Sequence, residues 1–410
     1  TPGMKPNRTW VYAPSPDILR RRWDVLIGET DRETKRKLLK ATRDRDLDSK
    51  VQSLPRGNHH HKTLEDETGP CPEPKRIAYR SFDRQWVIPD RRVIDFPRSE
   101  LWDAEQAGQV FINEQHSKQI HSGPAVVFAA MLTDNDHFKG SEGGRVLPML
   151  HPNGSPNLAP GLTTALTRRL GIPITVQDLT AYIAAVTAHP GFTARFADEL
   201  ATPGVRVPIT SDPELFTQAV TLGQELIWAA TYGQAAADPA QGRPAGSIAF
   251  PSGDPRRVLN LTPIGDRLPE KITYEEASGQ LHVGPGTFAP VTPRMWEYEV
   301  SGMKVIRHWF GYRKANPSGK KTSPLDDIHA DHWPHEWVSE FNELLTALRR
   351  ITDLEPDQVL LLESVLSKPI ITTADLLSMG VKFPTTAKER KPRYGLGEPE
   401  SGGVGQGILL

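Results

Sequence analysis

IAYRSFDRQWVIPD, residues 77–90, is where the chain changes character. Tyr79, Phe82 and Trp86 sit among Arg80, Asp83 and Arg84. That mixture suits three uses: a strand held in a core, an anion-binding edge, or a surface that reads a nucleic acid. A buried aromatic ladder edged by salt-bridged arginines has the same composition as a stacking platform edged by phosphate-binding ones. The surrounding sequence has to decide between them.

Upstream, residues 17–50 are dense in charge. Trp23, Leu26 and Ile27, then Leu38, Leu39 and Leu47, recur at intermittent helical spacing and predict one or two exposed helices with thin apolar stripes. Residues 52–76 lack periodicity and are rich in Pro, Gly and charge, which predicts a long loop. Downstream, short apolar runs such as AVVFAAML (125–132) and RVLPML (145–150) alternate with turn residues. Strands are expected there, with a buried helical turn as the alternative for 125–132. Residues 157–235 are helical in pattern. Asp178 is placed to cap a helix carrying Leu179, Ile183 and Val186, and Phe192 and Phe196 share a face of the next. Leu215, Ala219, Leu222 and Leu226 line another. Pro/Gly-rich sequence with short strands fills 235–290, and two helices are expected at 335–351 and 356–367.

This order predicts an α+β fold: mixed short-strand sheets with a helical subdomain. The expected divisions are a charged helical and loop segment at 1–76, a mainly β part at 77–156 and a helical subdomain at 157–235. A mixed part at 236–390 and a flexible tail at 391–410 complete them.

Composition narrows the function classes. The 410 residues are 37% hydrophobic and 24% charged, ordinary globular material. No run of eighteen apolar residues exists, so no membrane span is expected. The chain begins Thr-Pro-Gly without a basic-then-apolar leader, so no secretory signal is expected and it reads as a possible fragment. Cys71 is the only cysteine, which excludes an internal disulfide and fits a cytoplasmic location. The net charge of −1 hides an asymmetry: residues 1–100 hold 22 Lys+Arg against 16 Asp+Glu, and the rest is acidic. Any nucleic-acid site must therefore be a local patch.

One such patch stands out. MKVIRHWFGYRKANPSGKKTSPL (303–325) carries Lys304, Arg307, Arg313, Lys314, Lys320 and Lys321 without one Asp or Glu, and Trp309, Phe310 and Tyr312 lie between the cations. Cations supply phosphate contacts and flat aromatics stack on bases. The alternative is a helix that packs Ile306, Trp309 and Phe310 inward and leaves its cations in water. The segment also imitates a phosphate-binding loop, but seven residues separate Gly311 from Gly319-Lys320-Lys321-Thr322 where four are required. HADHWPHEW (329–337) offers His329, Asp331, His332 and His335, yet Asp and Pro are also expected at a helix start, and no metal is assigned. His59, His60 and His61 fall in the loop and are not assigned a metal either. No nucleophile elbow and no His-Glu-x-x-His occurs, and His189-Pro190 reads as a packed or capping histidine. The GVGQG of the tail lacks a flanking strand and helix. No catalytic residue is assigned.

Several stretches in a shared order resemble the C-terminal specificity region of type ISP restriction–modification enzymes, particularly actinobacterial forms. They are TPGMKPNRTWVYAP (1–14), YRSFDRQWVIPDRRVIDFPRSELW (79–102), DHFKGSEGGRVLP (136–148), DLTAYIAAVTAHPGFTARFADELATPGVRVPIT (178–210), YEVSGMKVIRHWFGYRK (298–314) and the region 324–358. The resemblance covers about residues 1–390. It implies a target-recognition region that binds double-stranded DNA and follows a nuclease, a helicase-type ATPase and an adenine-N6 methyltransferase on one polypeptide. S-adenosylmethionine, ATP and Mg would serve those upstream parts. This chain has no Asn-Pro-Pro-Tyr, no Gly-rich S-adenosylmethionine loop and no ATPase motif, so no cofactor is expected in it and it should bind DNA without catalysing anything.

In that context residues 1–76 form the junction to the methyltransferase. Arg80, Arg84, Arg91 and Arg92 are expected to line a DNA-facing edge, and Asn7, Arg8 and Trp10 to lie near an extruded adenine. Phe82 and Trp86 are assigned to the core. A non-catalytic interaction scaffold with weak DNA contact is the alternative, motivated by the acidic balance after residue 100.

Overall fold

The computed structural model describes residues 1–54, 62–138 and 143–395. His59, His60 and His61, and the tail beyond residue 395, lie outside the described residues. The fold is α+β, built from small antiparallel sheets and a cluster of long helices.

The first sheet is N-terminal. Strand β1 (Tyr12–Ala13) is followed by α1 (Pro16–Gly28), which starts on Pro16, and by α2 (Arg32–Leu39), capped where the Asp31 carboxylate accepts from the Thr34 N–H at 2.8 Å. β2 (Lys75–Arg80) and β3 (Asp83–Val87) form a hairpin, and β1 adds to β3, giving the order β1-β3-β2. The hairpin turns through Phe82 in the left-handed region (φ 64°). The stretch 77–90 is thus a strand–turn–strand unit. The helices upstream differ from expectation. Ile18, Leu19, Trp23 and Leu26 of α1 are buried, so its narrow stripe is a core face. Each such side chain contributes about 2 kcal/mol of burial.

After α3 (Ser99–Asp103) comes the middle sheet: β4 (Phe111–Gln115), β5 (Val126–Ala129) and β6 (Gly144–Pro148), in the order β5-β4-β6. Residues 126–129 are a strand, not a helical turn. Side chains alternate across a sheet, and here the alternation divides two cores. Phe111 and Val146 face the N-terminal core with Trp10, Leu19 and Trp23. Ile112 and its cross-strand partner Leu147 face the larger core.

That larger core contains α4 (Leu162–Leu170), α5 (Val176–Thr187), α6 (Pro190–Arg195) and α7 (Pro213–Ala230). The N-cap of α5 is Thr175, with Asp178 three residues in completing a reciprocal capping box. Helices α5 and α7 cross closely at Gly223, where an added Cβ would lie 1.7 Å from the Ala181 carbonyl oxygen. The meander of β7 (Leu259–Thr262), β8 (Ile272–Glu275), β9 (Gln280–Val283) and β10 (Gly286–Ala289) follows, in the order β7-β10-β9-β8.

The chain continues through α8 (Pro293–Trp296), a small hairpin of β11 (Glu299–Val300) and β12 (Met303–Lys304), and α9 (Val305–Gly311). It then forms the long α10 (His335–Ser367) and the short α11 (Thr373–Ser378). The two helices expected at 335–351 and 356–367 are one: α10 runs through Pro356. An interior proline costs a helix about 3 kcal/mol. Phe341, Leu344 and Leu348 before it and Leu361, Leu362 and Val365 after it are buried in the same core, which offsets that cost. Among the described residues no helix is long and apolar enough to cross a membrane.

Candidate nucleic-acid interface

The two segments singled out in the sequence meet. Asp83 of β3 and Arg313, just beyond α9, form a buried ion pair at 2.8 Å with side chains 3% and 0% exposed. The Arg313 guanidinium also lies 3.9 Å from the Trp309 ring centroid and donates to the Trp309 carbonyl. Tyr79 packs edge-on to Tyr312, with ring centroids 5.3 Å apart, and Tyr12 packs against Tyr79 at 4.7 Å. Arg80 covers Tyr79 at 4.0 Å and pairs with Asp134 at 2.6 Å. Burial pushes the Asp134 carboxyl upward in pKa, and Arg80 opposes that shift. Arg76 pairs with Glu340 at 2.6 Å, and Arg84 pairs with Glu343, so β2 and β3 are tied by charge to α10. This seam of arginines and aromatics is structural.

The consequence for the nominated cations is a correction. Arg8 is buried: Asp95 lies at 2.5 Å, and its Nε donates to the Leu39 carbonyl. Arg92 is buried between Asp90 at 2.6 Å and Glu67 at 2.7 Å. Arg313 is buried as described. Trp10 is fully buried, its indole N–H donating to the Leu39 carbonyl at 3.1 Å. These four cannot touch a ligand from this conformation. Arg80 and Arg84 are committed to Asp134 and Glu343. Lys304 pairs with Glu299 at 2.6 Å and Arg307 with Glu297 at 2.7 Å, and Lys321 reaches Asp327 at 2.5 Å. The run 303–325 lacks acids, but Glu297 and Glu299 stand just before it and Asp327 just after, and folding returns them to its cations. At least eight of the eleven nominated cations therefore have carboxylate partners among the described residues. Arg91 is half-buried, and its carbonyl accepts from Arg45. Lys314 and Lys320 have no carboxylate partner among the described residues. Phe82 and Trp86 are half-buried, Phe82 against Tyr298 and Trp86 beneath Arg76, in keeping with their assignment to the core.

A second group of polar side chains lies along residues 5–9. Lys5 exchanges two backbone hydrogen bonds with Phe96, both at 2.9 Å. Asn7 donates to Asp95 at 2.8 Å, and its carbonyl accepts from the Lys40 ammonium at 2.6 Å. Burial, then the neighbouring Lys320 and Arg8, lower the Lys40 pKa, and Asp95 and Asp326 oppose that shift. Thr9 joins Thr322 and Asp326, fixing the 320–322 turn against the same spine. On the other side the Arg98 guanidinium stands 5.4 Å from the Phe96 ring centroid, and its Nε has no acceptor among the described residues. Asn7, Lys40 and Arg98 all hold left-handed backbone (φ 59°, 56° and 55°), and such strain concentrates at functional sites.

Lys5, Asn7, Lys40, Arg98 and Lys320 lie on or beside this spine as a rim whose four cations have no carboxylate ion-pair partner among the described residues, with Asp95 and Asp326 acting on Lys40 and Glu100 on Arg98. Sequence reasoning nominates Asn7 and Lys320 and misses Lys5, Lys40 and Arg98. Lys40 ends α2 at a position that usually falls to glycine, which is the one available clue. Arg98 has no local mark at all.

Among the described residues no three His, Cys, Asp or Glu side chains converge as a metal site. His332 bonds Asp331 at 2.5 Å, and His329 bonds the Ala330 carbonyl. His189 is the N-cap residue of α6, buried against the Val186 carbonyl and lowered by that burial to a pKa of about 4.

Three solved structures share this fold. DrdV, described by cryo-electron microscopy as a DNA complex, aligns at 16% identity and a TM-score of 0.58, over 90% of this chain and 35% of that one. LlaBIII, an ATP-dependent Type ISP restriction–modification enzyme bound to DNA, aligns at 13% identity and 0.57, over 90% and 23%. A nuclease-deletion mutant of the Type ISP enzyme LlaGI, in complex with a DNA substrate mimic, aligns at 16% and 0.51, over 88% and 27%. The chain spans about a quarter to a third of their lengths. No curated protein matches it in sequence. The model of the Type ISP C-terminal specificity domain matches residues 1–344, which include the N-terminal core, the arginine seam and the rim, and the chain belongs to that family.

Proposed function

We propose that the chain recognises double-stranded DNA as the specificity module of a restriction–modification enzyme acting in phage defence, and that it positions an adenine-N6 methyltransferase carried on the same polypeptide. The observation that carries this reading is family membership over residues 1–344. The DNA present in each of the three structural relatives supports it. In this reading Lys5, Lys40 and Lys320 hold phosphates, which set the register of the duplex, and Asn7 and Arg98 stand where a base edge comes within reach. Arg8 and Trp10 act beneath the rim by holding the 5–9 spine. S-adenosylmethionine, ATP and Mg would serve other domains of a cytoplasmic enzyme. Fluorescence anisotropy of the purified chain against varied duplexes tests the reading. Binding that weakens steeply with salt is expected, and no duplex binding at low salt would overturn it.

A second reading is a scaffold that packs on the methyltransferase and touches DNA weakly. The carboxylate partners of eight nominated cations favour it. Retained target recognition by the full enzyme after Lys5, Lys40 and Lys320 are changed to Ala would select the scaffold.

A further inference from the structure

A cavity of about 310 Å³ opens between α5, α7 and the turn at residues 236–243, on the far side of the middle sheet from the N-terminal core. That volume lies within the range of small-molecule sites. Val110, Met149 and Ile227 line it together with the polar Gln177, Thr180 and Arg243.

Arg243 is only 4% exposed. Its Nε donates to the Ala236 carbonyl at 3.1 Å and its Nη2 to the Gln224 side-chain oxygen at 3.0 Å. The nearest carboxylate, Asp238, is 3.7 Å away with 44% of its side chain in solvent. Nη1 meets no acceptor among the described residues, and it is not among the atoms sealed from solvent.

The other deeply buried arginines differ. Arg8, Arg92 and Arg313 each have a carboxylate at 2.5–2.8 Å. Arg22 lacks one but donates to three carbonyls, those of Trp10, Tyr12 and Ile328. A buried guanidinium left short of acceptors is costly. At Arg243, Nη1 has no acceptor among the described residues, Nη2 has the Gln224 oxygen and the more distant Asp238, and the side chain lines the cavity.

We propose that this cavity binds a small carboxylic acid with an apolar body. The planar carboxylate matches the fork of Nη1 and the second Nη2 hydrogen. The Gln224 side chain, whose oxygen is taken by Arg243, keeps its NH₂ group as a further donor. The apolar body lies on Met149 and Ile227. Asp238 opposes more than one negative charge, which favours a monoanion, and Arg243 repels amines. This inference does not rest on the DNA reading.

Thermal shift and saturation-transfer NMR on the 410-residue chain, with hexanoate and benzoate against hexanol and benzyl alcohol, test it. The acids are expected to raise the melting temperature at millimolar concentration and to bind about tenfold or more tightly than the alcohols. Arg243→Gln should remove that preference. Because Arg243 also braces its turn, Ala237→Phe serves as a second variant: Ala237 is an exposed lining residue, and the new ring should block binding while the fold keeps its melting temperature. No binding of either acid, equal binding of acid and alcohol, or full binding by folded Ala237→Phe would overturn the proposal.

Discussion

At the scale of single residues the chain uses arginine chiefly as a fastener. Asp83 and Arg313 are 230 positions apart and fully desolvated together. Removing one partner strands the other charge, so Arg313→Met is expected to cost about 3–5 kcal/mol in urea unfolding. Pairing it with Asp83→Asn should recover much of the loss. The exposed Lys320→Ala should stay within about 0.5 kcal/mol. His137 gives a pH test. It is buried, bonds the Ala78 carbonyl through Nδ1 at 3.3 Å, and burial, with Arg80 a lesser influence, lowers its pKa to about 3. Above about pH 6.5 it is neutral folded or unfolded and adds no pH dependence. Between 6.5 and 3 only the unfolded chain takes the proton, so stability falls as pH falls. At pH 5 the loss is about 2 kcal/mol. His137→Asn, which keeps an N–H donor, should shrink the stability difference between pH 7 and pH 5 by about that amount, and an unchanged difference would contradict this assignment. None of these pairings is legible in the sequence. The arginine and aromatic pattern of 77–90 is visible there, but its acids lie on distant elements, and charge counted along a window cannot see partners that arrive through folding.

At the scale of elements, legibility depends on periodicity. The apolar repeats of α5 and α7 place both helices, because their apolar faces pack against each other and the larger core. Their crossing adds a constraint that periodicity does not carry. With the Ala181 carbonyl against Gly223, Gly223→Ala forces the helices apart and is expected to destabilise the domain by about 1–3 kcal/mol or more. The neighbouring Leu222→Met, on a half-buried side chain, should cost less than about 1.5 kcal/mol. Thermal melts of the two variants separate the claims. Pro356 hides the continuity of α10, because the local rule for helix ends yields to tertiary burial on both sides. For α1 the stripe is visible in the sequence but its burial is not, since it takes the hairpin and the middle sheet to cover Trp23. Alternation along 111–115 is interrupted by Asn113, Glu114 and Gln115, all buried. Glu114 meets Arg145 at 3.0 Å and the Val205 N–H, and Gln115 accepts from Ser301. A strand that separates two cores cannot be recognised from its own residues.

For the whole molecule, two cores back onto one sheet, and the net charge is near zero. The shared order of family stretches is legible in the sequence and leads to the specificity domain. The location of free positive charge is not, because the cation-rich segment spends most of its charge internally. Lys5, Lys40, Arg98 and Lys320, on or beside the 5–9 spine, are cations without a carboxylate ion-pair partner among the described residues. The most direct test is the salt dependence of duplex affinity for the wild-type chain and for a variant carrying Lys5→Ala, Lys40→Ala, Arg98→Gln and Lys320→Ala. Arg168→Ala with Arg169→Ala on the exposed side of α4 is the control. The rim variant is expected to bind more weakly across all sequences, with the slope of log affinity against log salt reduced by about one for each phosphate no longer held, and the control to match wild type. A folded rim variant that keeps the wild-type affinity and slope would contradict the account.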